Sequence, residues 1–252
     1  MAEEKIYSKP KCLLPLASGF CPGCLHSLAT KLIAEAIDEL GVADKVINVL
    51  PVGCSTMNTL YWKLDMVQAA HGRAPAVATG VKRANPDNIV FTYQGDGDLA
   101  SIGLSEIMMA ANRGEHITIF FANNSTYGMT GGQMAPTTLV GQKSTTCVNG
   151  REPDTMGYPL RMCELIKELE APVYVARFAL NNPANIRKAK KGIKKAMQNQ
   201  ADGLGFSFVE LLTNCPTNWH MTPLQTLDFI ENSTSKYFPC GVFVDKTVKE
   251  EE

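Results

Sequence analysis

The sequence predicts an α/β fold with a mostly parallel sheet and helices on both of its faces. Short apolar segments of strand length alternate with segments of helical periodicity. No internal repeat and no long linker divides the chain, and polar or glycine-rich loops follow several predicted strands. Alternation of this kind is typical of parallel sheets that are covered by helices. We therefore expect a single domain over residues 1–252, with segments near both ends contributing to one functional site.

Four segments in the first half of the chain justify this fold class. Apolar residues recur at helical spacing over residues 25–40, and Gly41 stands where a C-terminal helix cap belongs. Residues 46–52 and 88–93 are apolar runs that predict buried strands. Residues 99–113 return to helical periodicity.

The second half continues the same alternation. Residues 117–122, 173–178 and 206–212 predict strands, and residues 158–170 and 183–200 predict helices. The tail after Trp219 has a pattern that favours neither helix nor strand.

The loops that follow the predicted strands hold most of the unusual residues. In open parallel sheets, ligands bind at the carboxyl ends of the strands. Four loops leave such ends, at residues 53–57, 95–101, 123–133 and 213–218. The third of them begins a long segment, 123–157, that is rich in Gly, Thr and Asn, and so long an irregular segment is usually functional. The sequence therefore predicts a site built from these loops.

The loop at residues 95–101 opens with the sequence Gly-Asp-Gly, before a predicted helix. It is a poor dinucleotide fingerprint, because the third glycine of that motif is missing. The carboxylate of Asp96 would repel a bare diphosphate, but it suits a Mg²⁺ ion that lies between the two. Asn123 and Asn124 follow the next predicted strand and offer further oxygen ligands. The alternative is that Asp96 and the asparagines are ordinary turn residues.

Taken together, the Gly-Asp-Gly and Asn-Asn motifs resemble the signature of thiamine-diphosphate enzymes. Residues 127–133, Tyr-Gly-Met-Thr-Gly-Gly-Gln, resemble a segment of one branch, the 2-oxoacid:ferredoxin oxidoreductases. The resemblance covers roughly residues 20–220, and it is strongest to the β subunits of the 2-oxoisovalerate and 2-oxoglutarate members. It implies a thiamine-diphosphate-binding fold in which Asp96, Asn124 and the Thr126 main-chain oxygen hold Mg²⁺.

The resemblance also implies a set of cofactor-binding residues. His71 and Arg73 taken alone are a loop histidine and a surface arginine. The resemblance places them near cofactor or substrate, where a guanidinium can bind phosphate or carboxylate. The whole implied set is Gly53, Cys54, Ser55, His71, Gly72, Arg73, Gly95, Asp96, Gly97, Asp98, Asn124, Thr126, Tyr127, Gly128, Met129 and Thr130.

Eight cysteines are many for a chain that we expect to be in a reducing compartment. Cys21 and Cys24 form a C-x-x-C pair, which by itself fits redox, zinc and iron–sulfur sites alike. Cys54 and Cys215 lie in two of the four loops, and a [4Fe–4S] cluster needs four thiolates. The resemblance implies that these four cysteines hold one such cluster. Cys240 is the alternative to Cys215, and the default for Cys12, Cys147, Cys163 and Cys240 is a small buried hydrophobe.

Composition narrows the classes of function. The chain has 24 Lys and Arg and 25 Asp and Glu, so its charge attracts neither nucleic acid nor an anionic membrane. Residues 1–11 have mixed charge and no apolar core, and no apolar run is long enough to span a bilayer. We therefore expect a cytoplasmic protein with no nucleic-acid or membrane partner.

The function that the resemblance implies is CoA-dependent oxidative decarboxylation of a 2-oxoacid, with electrons passed to ferredoxin. The substrate expected first is 2-oxoisovalerate, and 2-oxoglutarate is the alternative. The resemblance further implies α, γ and ferredoxin-like δ subunits. No pyrimidine-side domain is recognisable in this sequence, so the activating glutamate is expected from the α subunit. A non-catalytic metal-binding protein is the alternative from another class.

Overall fold

The structure is a computed structural model that describes residues 7–248. Residues 1–6 and 249–252 of the predicted 1–252 domain lie outside the described residues, and with them part of the N-terminal segment 1–11. The strands of this part are β1 (Val46–Leu50), β2 (Asp65–Gln68), β3 (Ile89–Gly95), β4 (Thr118–Asn123), β5 (Thr126–Tyr127), β6 (Gln133–Met134), β7 (Tyr174–Ala179), β8 (Ser207–Leu212) and β9 (Gly241–Asp245). β5 and β6 form a short antiparallel ribbon, and the others form one sheet in the order β2-β1-β3-β4-β8-β7-β9.

The predicted α/β fold class is confirmed. All neighbouring strands of the sheet are parallel except β9, which runs antiparallel to β7 at one edge. The helices are α1 (His26–Leu40), α2 (Ala74–Ala84), α3 (Leu104–Asn112), α4 (Pro153–Met156), α5 (Met162–Lys167), α6 (Pro183–Ala201), α7 (Pro216–Trp219), α8 (Pro223–Phe229) and α9 (Ser235–Tyr237). No helix within residues 7–248 has both the length and the apolar character that crossing a bilayer requires.

Two hydrophobic cores lie on opposite faces of the sheet. α1 and α6 cover one face, where Ile33 and Ile193 belong to the same core as Phe91 of β3. α2, α3 and α5 cover the other face, where Ile107 and Ile166 join the core around β4 and β8. The apolar runs of the central strands are therefore buried on both sides, as parallel strands require.

The best-predicted helix, α1, follows directly from its sequence. Its buried residues recur every three or four positions, which places them on the face that packs against the sheet. Gly41 ends the helix with φ 67° in the left-handed region, which glycine adopts without steric cost. The start of α6 is also determined by its local sequence, because the Asn182 side chain caps the helix by accepting a hydrogen bond from the Asn185 N–H.

Some elements differ from the sequence prediction. β2 and α2 were not predicted: β2 is a mostly exposed edge strand, and α2 buries small residues such as Ala78 that give a weak apolar pattern. The helix predicted at 158–170 is shortened to α5, because Pro159 disfavours helical backbone before it and Arg161 is extended. The tail after Trp219 forms short helices and the edge strand β9.

The sheet order brings the predicted loops together. β1, β3, β4 and β8 are consecutive neighbours, and all four run in the same direction. Their carboxyl ends lie at one edge because their registers align there, with Gly95 opposite Ala122 and Asn123 opposite Leu212. The loops after these strands therefore share one end of the molecule.

Candidate cofactor site and cysteine cluster

A cavity at the carboxyl ends of these strands collects all of the predicted cofactor-binding residues except Gly72 and Arg73. His26 and Val52, which were not predicted, also line it. A Cβ atom added at Gly53 or at Gly95 would meet no atom within 4 Å, so the main chain at both positions borders open space. The predicted residues in the lining are Gly53, Cys54, Ser55, His71, Gly95, Asp96, Gly97, Asp98, Asn124, Thr126, Tyr127, Gly128, Met129 and Thr130.

The carboxylate of Asp96 is buried at this cavity. Its Oδ1 accepts a hydrogen bond from the Gly97 N–H at 3.0 Å. Its Oδ2 accepts bonds from the Thr126 N–H at 3.1 Å and from the Thr137 hydroxyl at 2.6 Å. Burial raises the pKa of Asp96 to about 7, although these donors lower it. A buried carboxylate held by neutral donors beside open space is suited to a cation.

The turn after β4 places Asn124 and Thr126 beside Asp96. Ser125 has φ 59°, in the left-handed region that non-glycine residues rarely adopt. Its N–H lies 3.3 Å from the Asn123 Oδ1 atom, and the Asn124 Oδ1 atom lies 3.3 Å from the Thr126 N–H. These local hydrogen bonds stabilise the turn. Asn124 and Thr126 therefore lie on the same side of the cavity as Asp96, with which they are predicted to bind Mg²⁺.

Asp98, in the loop after β3, links the segment after β1 to the loop before α2. Its Oδ1 accepts hydrogen bonds from the Gly72 N–H at 2.9 Å and the Val52 N–H at 3.3 Å, and its Oδ2 accepts one from the Gln94 amide at 2.7 Å. His71 Nδ1 lies 2.5 Å from the same Oδ1. Both oxygens are thus engaged by the protein, and Asp98 positions the walls of the cavity.

Gly72 and Arg73 lie outside the cavity. Gly72 has φ 76° and packs against the main chain at Ile102 and Gly103. The Arg73 guanidinium pairs with Glu106 at the start of α3 and donates to the Ile102 carbonyl at 3.4 Å. The structure therefore places this arginine at a helix–helix contact, while its neighbour His71 reaches the site.

His26 is the lining residue that has the clearest chemistry among those not predicted. Its Nδ1 lies 2.6 Å from the Tyr93 hydroxyl, and its ring stacks on Phe20 with centroids 5.4 Å apart. Burial lowers the pKa of His26 to about 4, so the imidazole is neutral at pH 7. The available sequence signal was its place at the first turn of α1, directly after the C-x-x-C pair.

The structure brings the four predicted cluster cysteines together. Burial raises the pKa of the Cys24 thiol to about 12, and the thiols of Cys215, Cys54 and Cys21 act in the same direction, although a backbone hydrogen bond lowers it. Cys21 is exposed and the other three are partly or fully buried. Within residues 7–248, no three His, Cys, Asp or Glu side chains surround a position for a single metal ion. Neither predicted site requires such a position. Among the predicted Mg²⁺ ligands only Asp96 is a side chain of these four types, and the thiolates that hold an iron–sulfur cluster bind several iron atoms rather than one.

Gly128 lies where the cysteines meet the cavity, which Cys54 also lines. A Cβ atom at this position would lie 3.2 Å from the Cys54 sulfur and 3.8 Å from the Cys215 sulfur. The same atom would lie 3.8 Å from the Asn124 side-chain nitrogen. Because the position is a glycine, the two sulfurs and the cavity lining approach one another this closely.

Asn214 ties the C-x-x-C loop to the loop of Cys215. Its Oδ1 accepts a hydrogen bond from the Leu25 N–H at 2.9 Å, and its amide donates to the Gly23 carbonyl at 3.1 Å. The residue is fully buried, so these bonds fix the relative position of two segments that are distant in sequence.

The remaining cysteines lie elsewhere. Cys12, Cys147 and Cys163 are buried, as expected of small apolar residues. Cys240 is exposed, contrary to that default, because it follows Pro239 at the start of the edge strand β9. The preceding Pro239 carbonyl accepts a hydrogen bond from the Arg177 guanidinium at 3.1 Å, and the following Gly241 pairs with Arg177 of β7, so Cys240 lies beside β7.

Comparisons with known proteins show the family to which the chain belongs. The family model described as the C-terminal TPP-binding domain of thiamine pyrophosphate enzymes matches residues 51–211. The chain is 36% identical over 222 residues to the 2-oxoglutarate synthase subunit KorB of Methanocaldococcus jannaschii, covering 85% of this chain and 77% of KorB. It belongs to the thiamine-diphosphate-binding β subunits of the 2-oxoacid:ferredoxin oxidoreductases.

Two further similarities lie within this β-subunit family. The chain is 50% identical over 237 residues to the ketoisovalerate oxidoreductase subunit VorA of Methanothermobacter thermautotrophicus, covering 94% of this chain and 50% of VorA. It thus spans about half the length of that relative. A solved 2-oxoglutarate:ferredoxin oxidoreductase from Magnetococcus marinus, with 2-oxoglutarate, coenzyme A and succinyl-CoA bound, is 25% identical with a TM-score of 0.76. That similarity covers 96% of this chain and 86% of the solved chain.

Proposed function

We propose that this β subunit binds thiamine diphosphate with Mg²⁺, carries one [4Fe–4S] cluster, and acts in a CoA-dependent 2-oxoacid:ferredoxin oxidoreductase. In the proposed reaction, a 2-oxoacid and coenzyme A give CO₂ and an acyl-CoA. The two electrons released pass singly through the cluster to ferredoxin, and a proton is released. The cytoplasmic location expected from the sequence is part of this proposal.

The observation that carries the proposal is the contact at Gly128. Gly128 and Cys54 both line the cavity that holds Asp96 and Asn124, and a Cβ atom at Gly128 would lie 3.2 Å from the Cys54 sulfur and 3.8 Å from the Cys215 sulfur. Electron transfer from a cofactor to a cluster is efficient only where the two are close, and this arrangement supplies that closeness. A metal-binding protein without catalysis would have no need for a glycine-lined cavity against its cysteines.

The residues at the cavity fit the Mg²⁺–diphosphate group. Asp96 and Asn124 offer hard oxygen ligands, with the Thr126 main-chain oxygen as the third, and Mg²⁺ prefers such ligands together with phosphates. Gly53 and Gly95 border open space, which leaves room for a diphosphate. When bound, thiamine diphosphate supplies an electron sink for the carbanion that decarboxylation leaves. His26 and His71 line the cavity, so their imidazoles would adjoin the group when it is bound.

The α subunit that we propose as a partner is inferred from the apolar surface at the opening of the cavity. Val52 and Met129 line it and remain 37% and 52% exposed, so apolar surface rims its opening. We propose that an α subunit covers this rim and supplies the activating glutamate. γ and ferredoxin-like δ subunits would complete the enzyme and carry electrons onward.

The substrate we propose is 2-oxoisovalerate, supported by the 50% identity to VorA. The similarity to KorB and to the solved 2-oxoglutarate enzyme favours 2-oxoglutarate as the second candidate. CoA-dependent rates of the assembled complex on 2-oxoisovalerate, 2-oxoglutarate and pyruvate, with ferredoxin as acceptor, will decide between them. Absence of turnover on any 2-oxoacid would contradict the proposed activity.

The two cofactor assignments are tested by separate measurements on the full chain. Cys21→Ser, Cys24→Ser, Cys54→Ser and Cys215→Ser should each abolish the electron paramagnetic resonance signal of the reduced cluster, and Cys240→Ser should retain it. Asp96→Asn should abolish Mg²⁺-dependent binding of thiamine diphosphate while the far-UV circular dichroism spectrum is unchanged. A signal lost in Cys240→Ser but kept in Cys215→Ser would contradict the cysteine assignment, and normal cofactor binding by Asp96→Asn would contradict the magnesium site.

A further inference from the structure

The short helix α7 places an amide against one of the cluster cysteines. The Asn218 side-chain nitrogen lies 3.2 Å from the Cys215 sulfur and donates to it. The same nitrogen donates to the Gly128 carbonyl at 2.8 Å. Asn218 therefore contacts both a thiolate of the proposed cluster and a glycine of the cavity lining.

The orientation of this amide is determined by its neighbours. The Gly128 carbonyl oxygen can only accept, so the nitrogen of the Asn218 amide, and not its oxygen, has to face it. Gly132 has φ 86°, and a Cβ atom there would lie 3.0 Å from the Asn218 Cβ. The side chain is thus held on two sides, and its second N–H is directed at sulfur.

We propose that Asn218 raises the reduction potential of the [4Fe–4S] cluster through its N–H···S hydrogen bond to Cys215. The inference rests on the proposed function, since it requires the cluster at these four cysteines. Reduction adds one electron, and therefore one negative charge, to the cluster and its thiolates. A donor to sulfur stabilises the more negative state more strongly, so the bond favours reduction.

The role has a consequence for electron flow. Cys54, one of the proposed cluster ligands, lines the cavity, so the cluster would be the first acceptor for electrons that leave the cavity in the proposed reaction. A higher potential makes that first transfer more favourable. Asn218 does not itself line the cavity, and its amide reaches the lining through the hydrogen bond to the Gly128 carbonyl. The reduction potential of the cluster is therefore the readout that reports on its bond to sulfur.

The experiment is a redox titration of the full chain, loaded anaerobically with iron and sulfide and followed by electron paramagnetic resonance. Asn218→Leu keeps a similar side-chain volume and removes the donor. We expect the cluster signal to persist and the reduction equilibrium to shift about tenfold toward the oxidised state, which is about 59 mV to lower potential for a one-electron couple. Asn218→Asp, which presents a carboxylate to the sulfur, should shift it in the same direction and further.

Trp219→Phe is the matched control on the same helix. The Trp219 indole donates to the Asn124 carbonyl at 3.0 Å and makes no bond to sulfur, so its loss should leave the potential unchanged. An unchanged potential in Asn218→Leu, or loss of the cluster from both Asn218 variants, overturns the tuning role. Absence of a cluster signal from the unmodified loaded chain would instead overturn the proposed function itself.

Discussion

At the scale of single residues, the site depends on a carboxylate whose charged form is costly to bury without a partner of opposite charge. Asp96 is buried, and its Oδ2 atom is held by one backbone N–H and by the Thr137 hydroxyl. Thr137 is fully buried in the long irregular segment after β4 and was not predicted. Its hydrogen bond both orients the carboxylate and favours its charged form, as a bound cation requires.

Thr137→Val should weaken Mg²⁺-dependent binding of thiamine diphosphate about tenfold or more. A hydrogen bond to a charged group is worth roughly 1.5–3 kcal/mol, and valine keeps the shape without the donor. Calorimetric titration of the cofactor-free enzyme complex measures the change. Thr79→Val is the control, because the Thr79 hydroxyl donates within α2 to the Pro75 carbonyl at 2.9 Å. Equal affinities for Thr137→Val and the unmodified protein would show that the hydroxyl has no such role.

At the scale of elements, the loop before α2 packs tightly against the start of α3. Gly72 has φ 76°, and a Cβ atom there would lie 2.7 Å from both the Gly103 nitrogen and the Ile102 carbonyl carbon. Its N–H also donates to Asp98 at 2.9 Å. The position thus needs glycine for its conformation and for the space around it.

Gly72→Ala should destabilise the chain by about 2–4 kcal/mol, from left-handed strain and from overpacking against main-chain atoms. Gly80→Ala, within α2, should instead stabilise it by about 1 kcal/mol, since its Cβ would meet no atom within 4 Å and alanine favours helix. Urea unfolding of both variants measures the difference. If both substitutions changed the free energy of unfolding in the same direction, the difference in packing between Gly72 and Gly80 would be contradicted.

The ends of α2 and α3 are joined by an ion pair that depends on pH. Glu115 lies 2.6 Å from Arg83 and 2.7 Å from Arg113. Burial alone would raise the pKa of Glu115, but hydrogen bonds from Arg113 and Arg83 outweigh it and hold the pKa below 4.5. The folded chain therefore binds this proton less readily than the unfolded chain, so the pair stabilises above pH 4.5 and its contribution is lost as the pH falls.

Glu115→Gln should lower the free energy of unfolding by about 1 kcal/mol at pH 7, because both arginines are partly exposed. The difference from the unmodified chain should shrink as the pH falls below 4.5, where the glutamate becomes protonated. Unfolding curves of both proteins at pH 7 and at a pH below 4.5 measure this difference. Glu168→Gln is the control, since Glu168 is 74% exposed and should have no effect. A difference that grows on acidification would contradict a lowered pKa of Glu115 in the folded chain.

At the scale of the whole molecule, one cluster would join segments from both ends of the chain. Cys21 and Cys24 precede α1, Cys54 follows β1, and Cys215 follows β8. Asn214 already links the first and last of these segments. A cluster would add a covalent cross-link to that hydrogen-bonded contact, and in the chain-entropy view a link across a long loop restricts the unfolded state.

Loading the cluster should therefore raise the unfolding temperature of the full chain, with a stabilisation of up to about 5 kcal/mol. Anaerobic scanning calorimetry before and after addition of iron and sulfide measures the gain. Cys24→Ser should abolish the gain, and Cys240→Ser should keep it because Cys240 is exposed beside β7 and is not one of the four proposed ligands. A full gain in Cys24→Ser would contradict the proposed linkage.

The sequence by itself determined the alternation of strands and helices and the loops that carry the site. Apolar runs such as β4 and the periodic face of α1 reflect local burial, which a linear pattern records directly. Parallel topology then places the loops after β3 and β4 at one edge, so the sequence predicts that Asp96 and the asparagines after β4 lie near one another, and Asp96 and Asn124 line one cavity. The choice of Asn124 as a Mg²⁺ ligand came from the family resemblance.

Only the tertiary structure decided which side chains from distant segments meet. The position of β8 beside β4 brings Cys215 and Asn218 to Gly128, and the irregular segment after β4 folds Thr137 onto Asp96. Strand order and loop conformation depend on contacts between residues far apart in sequence, and these leave no periodic signal. For the same reason Arg73 faces Glu106 while its near neighbour His71 lines the cavity: the direction of each side chain is set by the packing of α2 against α3.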